Sequence, residues 1–186
     1  MTKAVTAGRP FKQDSTLSKG KILSLAMRLI EEEGEKAASF RALAKKLDVT
    51  PMAVSHHVGN RQLMLEGLIA RAFYGVGSEP KGDAPTEQLR FLLARYCDRV
   101  LKHPNLFKCV LADPRLIEGE LFLLTDLIKS YVRKTTKGDN DNALLNLIVD
   151  YTHGFALSVS AAPSPPQLTT DDYLRSLDWI LERLDS

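Results

Sequence analysis

The chain has 186 residues, 44% of them hydrophobic and 26% charged, with a formal net charge of +2. These are ordinary globular values, enough for a sizeable core, and they exclude a disordered or collagen-like chain. No stretch approaches the ~18 consecutive apolar residues of a membrane span, and Met1 to Pro10 lack the apolar run of a secretory leader, so a cytoplasmic protein is expected. The charge is unevenly placed: residues 1 to 78 hold 12 Lys/Arg against 7 Asp/Glu, a surplus of +5, and the remainder is −3. A basic N-terminal part suits contact with phosphates. The two cysteines, Cys97 and Cys109, fit no zinc or CxxC spacing and sit among apolar neighbours, as buried thiols do.

Nearly every segment carries the helical period and none sustains strand-like alternation, so an all-α fold is expected. Ile22, Leu25, Ala26, Leu29 and Ile30 form a stripe that Gly34 ends, because glycine is preferred just past a helix C-terminus. Ser39 caps a short helix from Phe40 to Leu47, Asp48 and Val49 make a tight bend, and Thr50-Pro51 opens a third helix that stops near Val58. Gly59 breaks it and Asn60 caps a fourth helix lined by Leu65, Leu68, Ile69, Ala72 and Phe73.

The stretch from Gly75 to Pro85, rich in Gly, Pro and charge, reads as a connection. Beyond it the period predicts a helix from about Thr86 to Lys102 with Leu89, Leu92, Leu93, Tyr96, Cys97 and Val100 on one face. A short piece from Asn105 to Ala112 follows, then a longer helix from about Leu116 to Lys134. Ala143 to Val159 is apolar on more than one face and is expected to be buried on two sides, centrally or at a subunit interface. After the prolines at 163, 165 and 166, a last helix carries Tyr173, Leu177, Ile180, Leu181 and Leu184.

The second and third helices, joined by a tight turn, make a helix-turn-helix whose second member can lie in the major groove. Thr50, Pro51, Met52, Ser55 and His56 would face outward while Val49, Val54 and Val58 anchor the back. Hydroxyls at the start of such a helix can donate to or accept from base edges, and Met can touch a thymine methyl.

The runs from Ile22 to Gly34, from Phe40 to Thr50 and from His57 to Leu65 together resemble the N-terminal domain of the TetR family of transcriptional regulators in order, spacing and residue type. The downstream run from Asp150 to Phe155 is loosely similar to the effector and dimer domain of the tetracycline-repressor branch. The resemblance implies a three-helix DNA-binding head at residues 1–62, a fourth helix that connects, and a body of about six helices at 63–186 that binds a small-molecule effector and dimerises. It implies that Arg41, Thr50, Pro51, Met52, Ser55 and His56 meet operator DNA. Arg61 would hold phosphate, His57 would have a structural and backbone-contacting role, and Arg9 would belong to a basic arm suited to the minor groove.

Three positions depart from the family pattern: Ser55 stands where Tyr is frequent, Asp48 where Gly is commonest, and Phe40 where a hydroxyl residue is usual. Asp tolerates the left-handed geometry of the turn, so the motif survives. The effector cavity is expected to draw on Phe91, Arg95, Tyr96, Phe107, Tyr151, His153 and Phe155. Where the tetracycline-binding branch carries its metal-coordinating His this sequence has Val110, so neither a metal nor a cofactor is implied beyond the effector itself.

The function implied is a homodimeric repressor released from a palindromic double-stranded operator by a small molecule. A helix-turn-helix protein without a switch is the alternative. A helical enzyme using His57, His103 or His153 is the least supported reading, because no carboxylate, nucleophile or metal spacing accompanies those residues.

Overall fold

The computed structural model describes residues 17–136, 141–161 and 168–183. Among these residues there are nine α-helices and no strand, as the hydrophobic period predicts: α1 (Lys19–Glu33), α2 (Phe40–Leu47), α3 (Pro51–Val58), α4 (Arg61–Phe73), α5 (Pro85–Lys102), α6 (Pro104–Ala112), α7 (Gly119–Thr135), α8 (Ala143–Ala161) and α9 (Thr170–Leu181). Arg9 and Leu184 lie outside the described residues.

The N-terminal helices begin and end where their local chemistry dictates. Ser39 Oγ accepts the Ala42 N–H at 3.3 Å, Thr50 Oγ1 accepts the Ala53 N–H at 3.2 Å, and Asn60 Oδ1 accepts the Leu63 N–H at 2.9 Å. Each bond satisfies an amide that the helix itself leaves unpaired, and losing such a cap costs about 1 kcal/mol. Asp48 closes α2 in the left-handed region at φ 56° and ψ 45°. Gly59 closes α3 at φ 76°, and a Cβ there would come within 2.6 Å of Leu63 Cδ1, so the sharp passage from α3 to α4 requires glycine.

One apolar core runs through the molecule. It takes Ile22, Ala26 and Ile30 from α1, Leu43 from α2, Val54 and Val58 from α3 and Met64 and Leu68 from α4, and continues without a break into α5 to α9. Leu23 rather than Leu25 joins the buried stripe of α1, Leu25 being half-buried. Burying each large aliphatic side chain contributes roughly 1.5–3 kcal/mol, so Val54 and Val58 alone hold α3 firmly against its predecessors.

In the body, α5 is central: its predicted face of Leu89, Leu92, Leu93, Tyr96, Cys97 and Val100 is buried, and the helix packs against α7, α8 and α9. Cys97 and Cys109 are both buried free thiols, and burial pushes Cys97 up to about 12 and Cys109 up to about 11. The guanidinium of Arg90 clasps the Asp178 carboxylate with two donors and so ties α5 to α9.

One expectation about a helix limit needs correction. The helix expected from about Leu116 starts at Gly119. Asp113 Oδ1 accepts the Arg115 N–H at 3.2 Å and winds Pro114–Leu116 into a 3-10 turn, after which Ile117 and Glu118 leave helical geometry. In the single chain α8 is buried along one side, through Leu145, Ile148, Thr152, Phe155 and Ala156, while Leu147 on another side is 56% exposed.

Candidate functional site

The helix-turn-helix surface presents a short row of side chains at the start of α3. Thr50, Pro51, Met52 and His56 are exposed, Met52 to 81%, and Arg41 is exposed at the start of α2. Arg41 makes no ion pair or hydrogen bond among the described residues, so its guanidinium is available to an incoming acceptor. Thr50 uses an oxygen lone pair for its cap and therefore keeps its O–H free to donate outward. Lys45 and Lys46, adjacent and exposed in the last turn of α2, add positive charge that the sequence reading passed over.

Three residues proposed for the same surface sit differently. Ser55 is half-buried and its hydroxyl donates to the Gly59 carbonyl at 3.0 Å, fastening the end of α3 instead of pointing outward. His57 is half-buried, edge-on to the His56 ring with centroids 5.6 Å apart, and lines a crevice with Leu63, Glu66 and Gly67 of α4. Arg61 is exposed, but its guanidinium is held by Glu35, through the carboxylate at 2.6 Å and the carbonyl at 3.4 Å. A phosphate at Arg61 would have to share or displace that partner.

Glu31 ties α1 to α6. Its Oε2 accepts the Asn105 N–H and its Oε1 the Leu106 N–H, both at 3.0 Å, so a carboxylate from α1 caps the first turn of α6. The Asn105 side-chain amide returns a bond to the Glu31 carbonyl at 3.0 Å.

A cavity of about 290 Å³ lies among α5, α6, the turn that follows α6, α7 and α8. Three of the seven residues expected to line it do so: Tyr96, Phe107 and His153. The Tyr96 hydroxyl and His153 Nε2 are 2.7 Å apart, and the Phe107 ring lies against the imidazole with centroids 4.8 Å apart. Val110, Leu121, Leu124, Ile128 and Val149 supply most of the remaining wall. The signal for the α7 part was visible as an i, i+3, i+7 stripe.

The other four expected liners are engaged elsewhere. Arg95 donates to the Ser78 carbonyl at 2.9 Å and to the Gly75 carbonyl, and stands 5.3 Å over the Phe91 ring, so this pair secures the chain between α4 and α5. Tyr151 stacks on Tyr173 of α9 at 5.6 Å and 7°, and Phe155 packs on the same ring at 5.4 Å. They belong to the α8–α9 contact rather than to the cavity.

Desolvation lowers the pKa of the two half-buried histidines, His103 and His153. At His153 it outweighs the opposing pull of Asp150. At His103 it outweighs the pull of Glu31 and Asp98, with Lys102 and Arg99 acting in the same direction as burial. Among the described residues His103 Nδ1 has no hydrogen-bond partner, and it lies 3.9 Å from Glu31 Oε1. Because each group binds its proton more weakly folded than unfolded, the stability this confers is fully present above about pH 6.5 and is lost as pH falls below it. Urea midpoints should therefore drop between pH 7.5 and 5.5, well above the range in which Asp113 and Asp172, both held below 3.8, titrate. Replacing both histidines by Asn should flatten that slope; an unchanged slope would contradict the assignment.

Among the described residues no helix is long and apolar enough to cross a membrane, and no three His, Cys, Asp or Glu side chains converge as metal ligands do.

No protein-family model and no curated protein matches the chain. Solved structures do. A crystal structure of BioQ with its double-stranded DNA operator superposes with a TM-score of 0.69 at 19% identity, covering 91% of this chain and 99% of that one. The Streptomyces coelicolor TetR family protein ActR in complex with actinorhodin gives 0.67 at 18% identity, covering 91% and 97%. The transcriptional regulator SCO7222, a TetR from Streptomyces coelicolor, gives 0.66 at 17% identity, covering 91% and 98%. The chain thus has, over nine-tenths of its length, the all-helical fold of the TetR-family regulators that its N-terminal sequence resembles.

Proposed function

We propose that this chain is a DNA-binding transcriptional regulator, a cytoplasmic repressor that works as a homodimer and leaves its operator when a small molecule occupies the body. The observation that carries the reading is the exposed start of α3, where Thr50, Pro51, Met52 and His56 project from a helix whose back is locked into the core by Val54 and Val58. Residues 1–62 form the reading head and residues 63–186 the body. BioQ bound to its operator and ActR bound to actinorhodin support a fold that accommodates both kinds of partner.

The dimer is supported by apolar surface that a lone chain leaves uncovered: Leu147 of α8 and Trp179 of α9, 56% and 59% exposed, flank one shallow depression with Ile180. Pairing α8 and α9 of two copies covers it. Two heads related by a two-fold axis then meet half-sites whose centres lie ~34–36 Å apart or a multiple of that. A ligand releases the operator only by preferring the conformation that holds DNA poorly, and DNA must then weaken ligand binding by the same factor.

Selection of bound sequences from random duplex DNA tests the reading. A two-fold-symmetric site should emerge, with affinity falling steeply as salt rises because neutralised phosphates release counterions. Recovery of no preferred sequence would overturn it.

A further inference from the structure

We infer that the cavity between α5 and α8 takes an uncharged, mainly apolar ligand of about two fused rings that carries one hydrogen-bonding oxygen, received by the Tyr96–His153 pair. The inference rests on reading that cavity as the effector site, and adds the chemistry of what fits it.

The argument begins with what the walls lack. Among the described residues no Asp, Glu, Lys or Arg lines the cavity, and most of its surface is the aliphatic and aromatic side chains of Phe107, Val110, Leu121, Leu124, Ile128 and Val149. A charged ligand would surrender its hydration without gaining a counter-charge, a loss that buried ions do not recover. His153 does not supply one, because burial holds its imidazole neutral at physiological pH. At about 290 Å³ the space lies at the low end of the ~300–1,000 Å³ of small-molecule pockets, which suits a two-ring molecule better than a large glycoside.

Proton bookkeeping at the polar end makes the hydrogen-bonding requirement specific. With His153 neutral, its ring carries one N–H and one lone pair, and the Tyr96 hydroxyl carries one O–H. If the phenol donates to Nε2 across the 2.7 Å contact, the imidazole N–H is at Nδ1 and the phenol oxygen retains a lone pair. If Nε2–H donates to the phenol instead, the Tyr96 O–H is left free and Nδ1 can accept. Either arrangement leaves the pair one donor and one acceptor to offer. At the Tyr96 oxygen this means a lone pair in the first arrangement and an O–H in the second, and a phenol or alcohol oxygen suits either because it can donate or accept, whereas a carboxylate can only accept. Thr125, also in the wall, already donates to the Leu121 carbonyl at 2.8 Å and has only lone pairs to offer, which again disfavours an anion.

Titration of the full chain with naphthalene, 2-naphthol and 2-naphthoate at pH 7.5, read by calorimetry and by thermal shift, tests this. The expected order is 2-naphthol tightest, naphthalene about 3- to 10-fold weaker for want of the hydrogen bond, and naphthoate at least about tenfold weaker than 2-naphthol. Tyr96→Phe should bring 2-naphthol down to the level of naphthalene while leaving naphthalene unchanged, and Leu111→Trp at the exposed rim should weaken all three. Naphthoate binding as tightly as 2-naphthol, or no binding by any probe, would overturn the inference. The same samples scored for binding to a selected operator separate the two claims: operator binding with the wrong probe order sinks only the ligand class. Correct probe order in a protein that binds no DNA sinks the regulator reading and leaves the ligand class standing.

Discussion

Arg41→Ala and His56→Ala should each weaken binding to the selected operator by about 10- to 100-fold, and the double variant should bind specific DNA little better than random DNA. The reason is geometric. Both side chains are exposed on the two helices of the motif, and Arg41 has no protein partner to occupy its fork of donors. A guanidinium that reaches guanine or phosphate makes charge-assisted bonds that alanine cannot replace. Because neither residue contributes to the core, folding stability should move by no more than about 0.5 kcal/mol, so thermal melting of the free protein is the internal control. Arg61→Ala offers a contrast: it frees Glu35 as well as removing a cation, so its effect on DNA mixes two changes. Operator affinity that survives in the Arg41/His56 double variant would show that some other surface reads the DNA.

The second large effect is expected in the body. Tyr173→Ala should lower unfolding free energy by about 3–5 kcal/mol, read from the urea midpoint at constant slope. The side chain is fully buried, Tyr151 and Phe155 both pack on its ring, and its hydroxyl meets Thr152 Oγ1 at 2.9 Å. Tyr173→Phe keeps the ring and should cost only about 1 kcal/mol, since the Thr152 hydroxyl retains the Ile148 carbonyl at 2.8 Å. If alanine and phenylalanine cost the same, the ring stack contributes nothing and the account of α9 is wrong.

How far the sequence discloses this molecule depends on the range of the interaction concerned. Caps and turns are settled by neighbours in the chain, so Ser39, Asp48, Thr50, Asn60 and the boundaries of α2 and α3 were legible from residue type alone. Arg61 was less so, because its partner Glu35 is 26 positions away and nothing local announces the pair. Ser55 was read as outward-facing, yet a hydroxyl one turn before Gly59 can also turn back to close its own helix, and that shorter path prevails. The cavity was the least visible feature. A stripe such as Leu121, Leu124 and Ile128 has the same period whether it meets another helix or lines a void, and only the assembled body distinguishes the two. Aromatic content pointed to Tyr96, Phe107 and His153, but it pointed equally to Tyr151 and Phe155, which serve α9.

The carboxylate of Glu31 has a mechanical meaning beyond helix capping. It can grip the Asn105 and Leu106 amides only while the first turn of α6 keeps its position beside α1, and one turn further on α6 supplies Phe107 and Val110 to the cavity. The N-terminal unit consequently has no free swivel at this junction. On the proposed function, a guest that displaced α6 would carry α1 with it, and with α1 the pitch at which α3 would meet a groove.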